Sequence, residues 1–140
     1  MATSEIVYYR LHGEQDGIIL DNSNHTRFDV SLLDKVPDGT FNNCKLVVYG
    51  ACSVASTADG PRNMLNATED AGVITVVGFE QVVNCDSANT FMTAFFIALS
   101  QGKTVNSALY DAKERTQEEH GTADTTKYYD VAGDGTLSFD

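Results

Sequence analysis

Apolar residues fall into short runs that are separated by glycine, proline and polar residues along most of the chain. Two runs, over residues 46–49 and 73–79, lack polar alternation and are rich in valine. Such runs are typical of strands that a parallel sheet buries on both faces. Two more strands are predicted over residues 6–11 and 17–20, and the Asp-Gly pair at 16–17 predicts a hairpin turn between them.

Helices are predicted in four places, where apolar residues recur at intervals of three and four. These places are residues 29–36, a segment from a cap at Asp59 to about Asp70, residues 86–102, and a segment from a cap at Thr104 to about Glu119. A last strand is predicted within residues 128–140. Because strands and helices alternate, we expect one α/β domain over residues 1–140, a three-layer sandwich whose mostly parallel sheet carries helices on both faces.

The charge of the chain restricts its partners. The 20 acidic residues outnumber the 9 basic ones, for a net charge of -11, which argues against nucleic acid and anionic membranes as partners. No apolar run has membrane-spanning length, and residues 1–5 do not resemble a signal peptide, so we expect a cytoplasmic protein. Three cysteines are too few for a disulfide scaffold and their spacing matches no zinc motif, so no metal is expected.

Two side chains with reactive groups follow two of the predicted strands. Cys52 comes after the 46–49 strand, behind the small residues Gly50 and Ala51, and His12 comes directly after the first strand. If these strands are parallel neighbours, roughly 4.8 Å apart, both side chains emerge at the same edge of the sheet. An imidazole beside a thiol is the minimum required for thiolate chemistry, and the Gly13 and Cys52 amides are candidates for an oxyanion hole.

Each candidate residue also has a simpler interpretation. A lone cysteine after a strand is by default an inert buried thiol, an interpretation of Cys52 that the His-Gly pair at the matching strand end makes less favoured, and His25, in a polar loop, is a competing base. Cys44 and Cys85 are expected to be structural. The segment 130–137 partly resembles a calcium loop, but its third position is an alanine, which offers no ligand, so a turn into the last strand is favoured.

The residues around both candidates are similar to a known family. His12-Gly13 after an apolar strand, followed by Leu-Val-Val-Tyr-Gly-Ala-Cys-Ser over residues 46–53, resembles the caspase-like clan (clan CD) of cysteine peptidases. The likeness extends over roughly residues 6–112 and is nearest to CHAT and clostripain-type domains. It implies that His12 is the base, that Cys52 is the nucleophile, and that the Gly13 and Cys52 amides bind the oxyanion. The implied reaction is hydrolysis of peptide bonds through an acyl-enzyme, without a cofactor.

The chain also departs from that family. Two strand–helix units usually precede the histidine strand, whereas eleven residues precede His12 here. We therefore expect a short or processed form, or a sheet that is completed by a second copy or a partner chain. An inactive or truncated domain that serves as an interaction or assembly module is the alternative function, and another α/β thiol hydrolase or acyltransferase is a third.

The expected substrate is a peptide or a protein. Acidic residues follow the 73–79 strand, and Glu80 or Asp86 is predicted to bind a basic side chain that precedes the scissile bond.

Overall fold

The computed structural model describes residues 5–21, 26–58 and 60–139. The strands are β1 (Ile6–Tyr9), β2 (His12–Glu14), β3 (Gly17–Asp21), β4 (Thr26–Asp29), β5 (Leu46–Tyr49), β6 (Thr75–Phe79) and β7 (Tyr129–Gly133). The helices are α1 (Val30–Asp34), α2 (Met64–Asp70), α3 (Cys85–Ser100) and α4 (Val105–His120), with a 3-10 helix at Thr125–Lys127. Among these residues, no helix combines the length and the apolar character that a membrane crossing requires.

A four-stranded sheet forms the centre of the molecule, with the strand order β1-β5-β6-β7. The first three strands are parallel, and β7 pairs with β6 in the antiparallel direction. Every residue of β5 and β6 is buried, as their unbroken apolar runs predict. β1 and β5 are indeed neighbours, and Tyr9 pairs with Tyr49 at their shared carboxyl end.

The two faces of this sheet bury separate cores, because side chains alternate along β5. Val47 and Tyr49 pack with α1, α2 and Ile18 of β3 in one core. Leu46 and Val48 pack with α3 and α4 in the other core. The fold is thus a three-layer α/β sandwich with helices on both faces of a mostly parallel sheet, and the predicted fold class is confirmed.

The hairpin differs from the sequence prediction. The first strand ends at Tyr9 rather than at residue 11, and His12 belongs to β2, which pairs with β3 in a second, antiparallel sheet of order β2-β3-β4. The Gly50 N–H donates to the Tyr9 carbonyl at 2.7 Å, which is the last hydrogen bond between the β1 and β5 segments. Beyond that point the chain leaves the central sheet, so the turn at 15–16 joins β2 to β3 and not β1 to β3.

Helix starts follow from their caps. Asn63, and not Asp59, caps α2: its side chain accepts from the Asn66 N–H, and the Asn66 side chain accepts from the Asn63 N–H in return. Asp59 itself lies outside the described residues. Thr104 caps α4 as predicted, and Gly121 follows its last residue. Of the tail residues that the structure describes, Tyr129–Gly133 form a strand, whereas Leu137 and Phe139 pack on the α3–α4 core.

Candidate active site

Cys52 is delivered by β5 through two small residues. Gly50 lies so close to the edge strand that a Cβ there would stand 2.7 Å from Cε1 of Tyr8. Ala51 is buried and Cys52 is partly exposed. A larger residue at position 50 would displace the Tyr8 ring and crowd the Tyr9 carbonyl oxygen, 3.2 Å from the same Cβ, so the glycine lets the end of β5 pack closely on β1.

The backbone turns sharply immediately after Cys52. Ser53 has a φ of 60°, the left-handed conformation that costs a residue other than glycine about 1 kcal/mol. The Ser53 N–H donates to the Gln81 carbonyl at 3.2 Å, and the Ala55 N–H donates to the Phe79 carbonyl at 3.0 Å. These two bonds fix the turn against the end of β6. No pattern in the sequence marks this conformation, because serine has no general preference for it.

Gly13 packs directly on the Cys52 peptide. A Cβ at position 13 would stand 2.6 Å from the Cys52 carbonyl oxygen and 2.7 Å from the Ala51 Cβ. Only a residue without a side chain fits there without a shift of the backbone. The His12-Gly13 dipeptide and Cys52, which the sequence places 40 positions apart, are therefore in contact.

His12 and Cys52 line one cavity of about 350 Å³ at this edge of the sheet. Its other lining residues are Arg10, Leu11, Ile19, Leu20, Gly50, Val83, Cys85 and Ala88. The imidazole is exposed, and among the described residues no hydrogen bond joins it directly to the thiol. Catalytic hydrogen bonds are often long or absent before a substrate binds, so this arrangement is compatible with a dyad.

The thiol of Cys52 contacts the main chain of Val83, which the sequence did not predict to lie at the site. The Val83 N–H donates to the sulfur at 3.4 Å, and the Val83 carbonyl oxygen lies 3.8 Å from it, within reach of the thiol proton. Val83 belongs to the loop of residues 80–84 between β6 and α3. Because main-chain groups make both contacts, the identity of the side chain at position 83 gives no indication of them.

The other two cysteines differ from each other. Cys44 is fully buried, its thiol lies 3.6 Å from the Leu46 carbonyl oxygen, and burial raises the pKa of this thiol, as expected for a structural residue. Cys85 is instead exposed, as the first residue of α3, and it lines the same cavity as Cys52. All three thiols are free. The competing base, His25, lies outside the described residues.

The two acidic candidates for substrate binding are not in this cavity. Glu80 lines a neighbouring cavity of about 440 Å³ together with Asp130 and residues 55–58, which belong to the segment that follows Cys52. Partial burial, and then the nearby Asp130 charge, raise the pKa of Glu80. Asp86 is exposed in the first turn of α3 and lines neither cavity.

The tail that partly resembles a calcium loop forms a turn. One oxygen of the Asp134 carboxylate, Oδ1, accepts from the backbone N–H and the hydroxyl of Thr136, at 2.8 and 2.6 Å, and so serves the local turn. Within the described ranges, no three histidine, cysteine or acidic side chains are arranged to hold a metal ion.

A further cavity, of about 650 Å³, lies along α3 and α4, with Thr93, Ile97 and Arg115 among its lining residues. None of the candidate site residues lines it. Its volume exceeds that of the His12–Cys52 cavity, but the thiol and the imidazole are not there. The chemistry of the side chains, and not cavity size, therefore identifies the candidate site.

Comparisons with known proteins show the fold. No protein-family model matches the chain, and no curated protein matches it. The crystal structure of the Arg-specific cysteine proteinase gingipain R superposes with a TM-score of 0.77 at 13% identity, over 96% of this chain and 33% of that one. A structure described only as a protease gives a TM-score of 0.71 at 15% identity, over 96% and 35% of the two chains.

The chain thus spans about a third of the length of these two solved structures. Its fold is caspase-like, the fold of the clan of cysteine peptidases that includes the gingipains. The resemblance that the sequence suggested is therefore confirmed at the level of the fold.

Proposed function

We propose that this chain is a cysteine peptidase domain in which His12 and Cys52 form a catalytic dyad. The observation that carries the proposal is the shared cavity of the two side chains, with Gly13 packed against the Cys52 carbonyl. A caspase-like fold supports the assignment, because the histidine and the cysteine follow adjacent parallel strands. Within the clan, the CHAT and clostripain-type domains are the proposed relatives.

The proposed reaction proceeds through an acyl-enzyme. The His12 imidazole takes the proton of the Cys52 thiol, and the sulfur attacks the scissile carbonyl carbon. The Gly13 and Cys52 amides donate to the resulting oxyanion. His12 then gives the proton to the leaving amine as the C–N bond breaks, and a water molecule, deprotonated by His12, hydrolyses the thioester. No step requires a cofactor.

The substrate is proposed to carry a basic side chain before the scissile bond, bound by Glu80. Support comes from the cavity that Glu80 shares with Asp130, because residues 55–58, which follow Cys52 in the chain, also line it. Arg10 lines the His12–Cys52 cavity, and its charge would repel a basic side chain there. Asp86 is the weaker candidate, since it lines neither cavity. A cleavage profile over a peptide library tests this proposal, and a preference for aspartate or apolar residues would contradict it.

The dyad is tested by alkylation with iodoacetamide at neutral pH, followed by peptide mapping. Cys52 is expected to react at least about tenfold faster than the exposed Cys85, because the neighbouring imidazole can accept the thiol proton as the sulfur attacks. His12→Ala should remove this difference, and the control variant His120→Ala, at the C-terminal end of α4 and not among the residues that line this cavity, should preserve it. A Cys52 that reacts no faster than Cys85 in the unaltered chain would contradict the dyad.

A second candidate function is that of an interaction or assembly module. The edge strand β1 favours it, because Ile6 and Tyr8 are 41% and 39% exposed and an open edge can pair with another strand. A second copy or a partner chain would complete the sheet there. Light scattering over a range of concentrations tests for self-association, and a strict monomer without thiol selectivity would remove support from both candidates.

A further inference from the structure

The 80–84 loop determines the position of the Cys52 sulfur. The thiol contacts the Val83 main chain twice, at 3.4 Å to the nitrogen and 3.8 Å to the carbonyl oxygen. When the thiol loses its proton, the N–H contact becomes a hydrogen bond to an anion, which is the stronger kind. The orientation of the Val83 peptide therefore affects how readily the sulfur reacts.

Few side-chain contacts hold this loop on its outer side. Val82 is 71% exposed, so its apolar side chain does not anchor the loop by packing. The Thr125 hydroxyl instead donates to the Val82 carbonyl at 2.6 Å, and the Glu80 N–H donates to the Tyr128 carbonyl at 2.8 Å. The Val82 carbonyl belongs to the peptide unit whose N–H is that of Val83. Thr125 thus binds one end of the same peptide plane whose other end points at the sulfur.

The 3-10 helix that carries Thr125 is itself well fixed. The Asp124 side chain accepts from the Thr126 backbone N–H at 2.9 Å and from the Thr126 hydroxyl at 2.6 Å. Burial raises the pKa of Asp124, but the hydrogen bonds from Thr126 and Ser87 outweigh it and lower the pKa overall. Thr126 is 1% exposed. The Thr125 hydroxyl therefore approaches the loop from a rigid element.

We propose that Thr125 is a positioning residue for Cys52. Its hydroxyl holds the Val82–Val83 peptide plane so that the Val83 N–H points at the sulfur and stabilises the thiolate. This inference rests on the proposed function of Cys52 as a nucleophile. Thr125 is not among the residues that line the His12–Cys52 cavity, so its influence is transmitted through the Val82–Val83 peptide plane.

The experiment compares the alkylation rates of Cys52 and Cys85 within the same full-length molecule. Thr125→Val removes the hydroxyl at nearly constant volume, and we expect it to slow Cys52 about three- to tenfold while Cys85 keeps its rate. Thr125→Ser retains the hydroxyl and should restore most of the Cys52 rate. Thr122→Val, an exposed neighbour in the same connection, is the matched control and should change neither rate.

Two outcomes would overturn the proposal. One is an unchanged Cys52 rate in a folded Thr125→Val variant, and the other is a Thr125→Ser variant that behaves like Thr125→Val. Circular dichroism checks that the variants fold, and Thr125→Ala provides the same comparison if the valine variant does not.

The same substitutions in a His12→Ala background separate this inference from the proposed function. If Cys52 there loses its advantage over Cys85 but still slows further with Thr125→Val, both proposals stand. If His12→Ala has no effect while Thr125→Val slows Cys52, the dyad fails and the positioning role survives.

Discussion

The central sheet and the small β2-β3-β4 sheet differ in how they hold their reactive residue. The strand that leads to Cys52 is 0% exposed at each of its four positions, between two cores. β2, which begins with His12, is a three-residue strand with the burial of a surface element. The proposed nucleophile thus stands on the fully buried part of the fold and the proposed base on the more exposed part. Substitutions should therefore affect the global stability and the dyad separately.

The largest expected effect is a difference in stability loss between a substitution in the core beside the central sheet and a substitution in the small sheet. Phe95 is fully buried in the α3–α4 core, and Phe95→Ala should lower the free energy of unfolding by about 3–5 kcal/mol. Leu20→Ala in β3, where the side chain is 49% exposed, should lower it by about 0.5 kcal/mol or less. Urea unfolding measures both changes, and similar losses in the two variants would refute the comparison.

The second effect is at the contact between the sheets. Gly13→Ala introduces a methyl group 2.6 Å from the Cys52 carbonyl oxygen, so we expect a loss of about 1–3 kcal/mol in stability. The backbone shift that makes room for this methyl group should also move His12 away from Cys52. Alkylation of Cys52 by iodoacetamide should then slow to the rate of Cys85. Glu14→Ala, on the next and exposed residue, is the control: it removes one of the two ion pairs of Arg27 and should cost about 1 kcal/mol or less without changing the Cys52 rate. A Gly13→Ala variant in which Cys52 keeps its full alkylation rate would show that the close approach of Gly13 to the Cys52 carbonyl is not needed.

A smaller effect is expected from the charges that tie the hairpin to β4. The Arg27 guanidinium pairs with Glu14 at 3.0 Å and with Asp16 at 2.6 Å, and these partially exposed pairs raise the pKa of Arg27. Arg27→Met should cost about 1 kcal/mol or less, and salt should reduce the difference. Hydrogen exchange should quicken in β2 and β3 but not in β5. Faster exchange in β5 would contradict the separation of the two sheets.

The smallest effect concerns pH at the end of β6. Since the pKa of Glu80 is raised in the folded chain, its contribution to stability is complete below the unfolded pKa and is lost as pH rises through the folded pKa. Glu80→Gln should therefore raise the melting temperature slightly at pH 7, and the gain should disappear below about pH 4. Melting curves at both pH values test this. A Glu80→Gln variant that melts at a higher temperature only at low pH would contradict the prediction.

The sequence predicted the structure correctly where the residue types themselves favour one backbone conformation. Unbroken valine-rich runs correctly predicted β5 and β6, and Gly121 correctly marked the end of α4. The proximity of His12 and Cys52 followed from the expectation that their strands are parallel neighbours. Contacts made by the main chain were not predictable. The Val83 peptide, the left-handed Ser53 and the separation of β1 from β2 depend on how loops meet in space, and no residue type specifies these features.

The pairing of β1 with β5 in matching register has a consequence for how such domains diversify. Since Tyr9 and Tyr49 lie opposite each other, both segments leave the central sheet at the same level, and the described residues 10–21 and 26–29 are inserted at that level. This inserted region supplies five residues of the cavity beside Cys52, namely Arg10, Leu11, His12, Ile19 and Leu20. Exchange of that insert for another sequence would change what Cys52 encounters while the strand beneath it stays the same. Variation in selectivity among such domains is therefore expected to concentrate there.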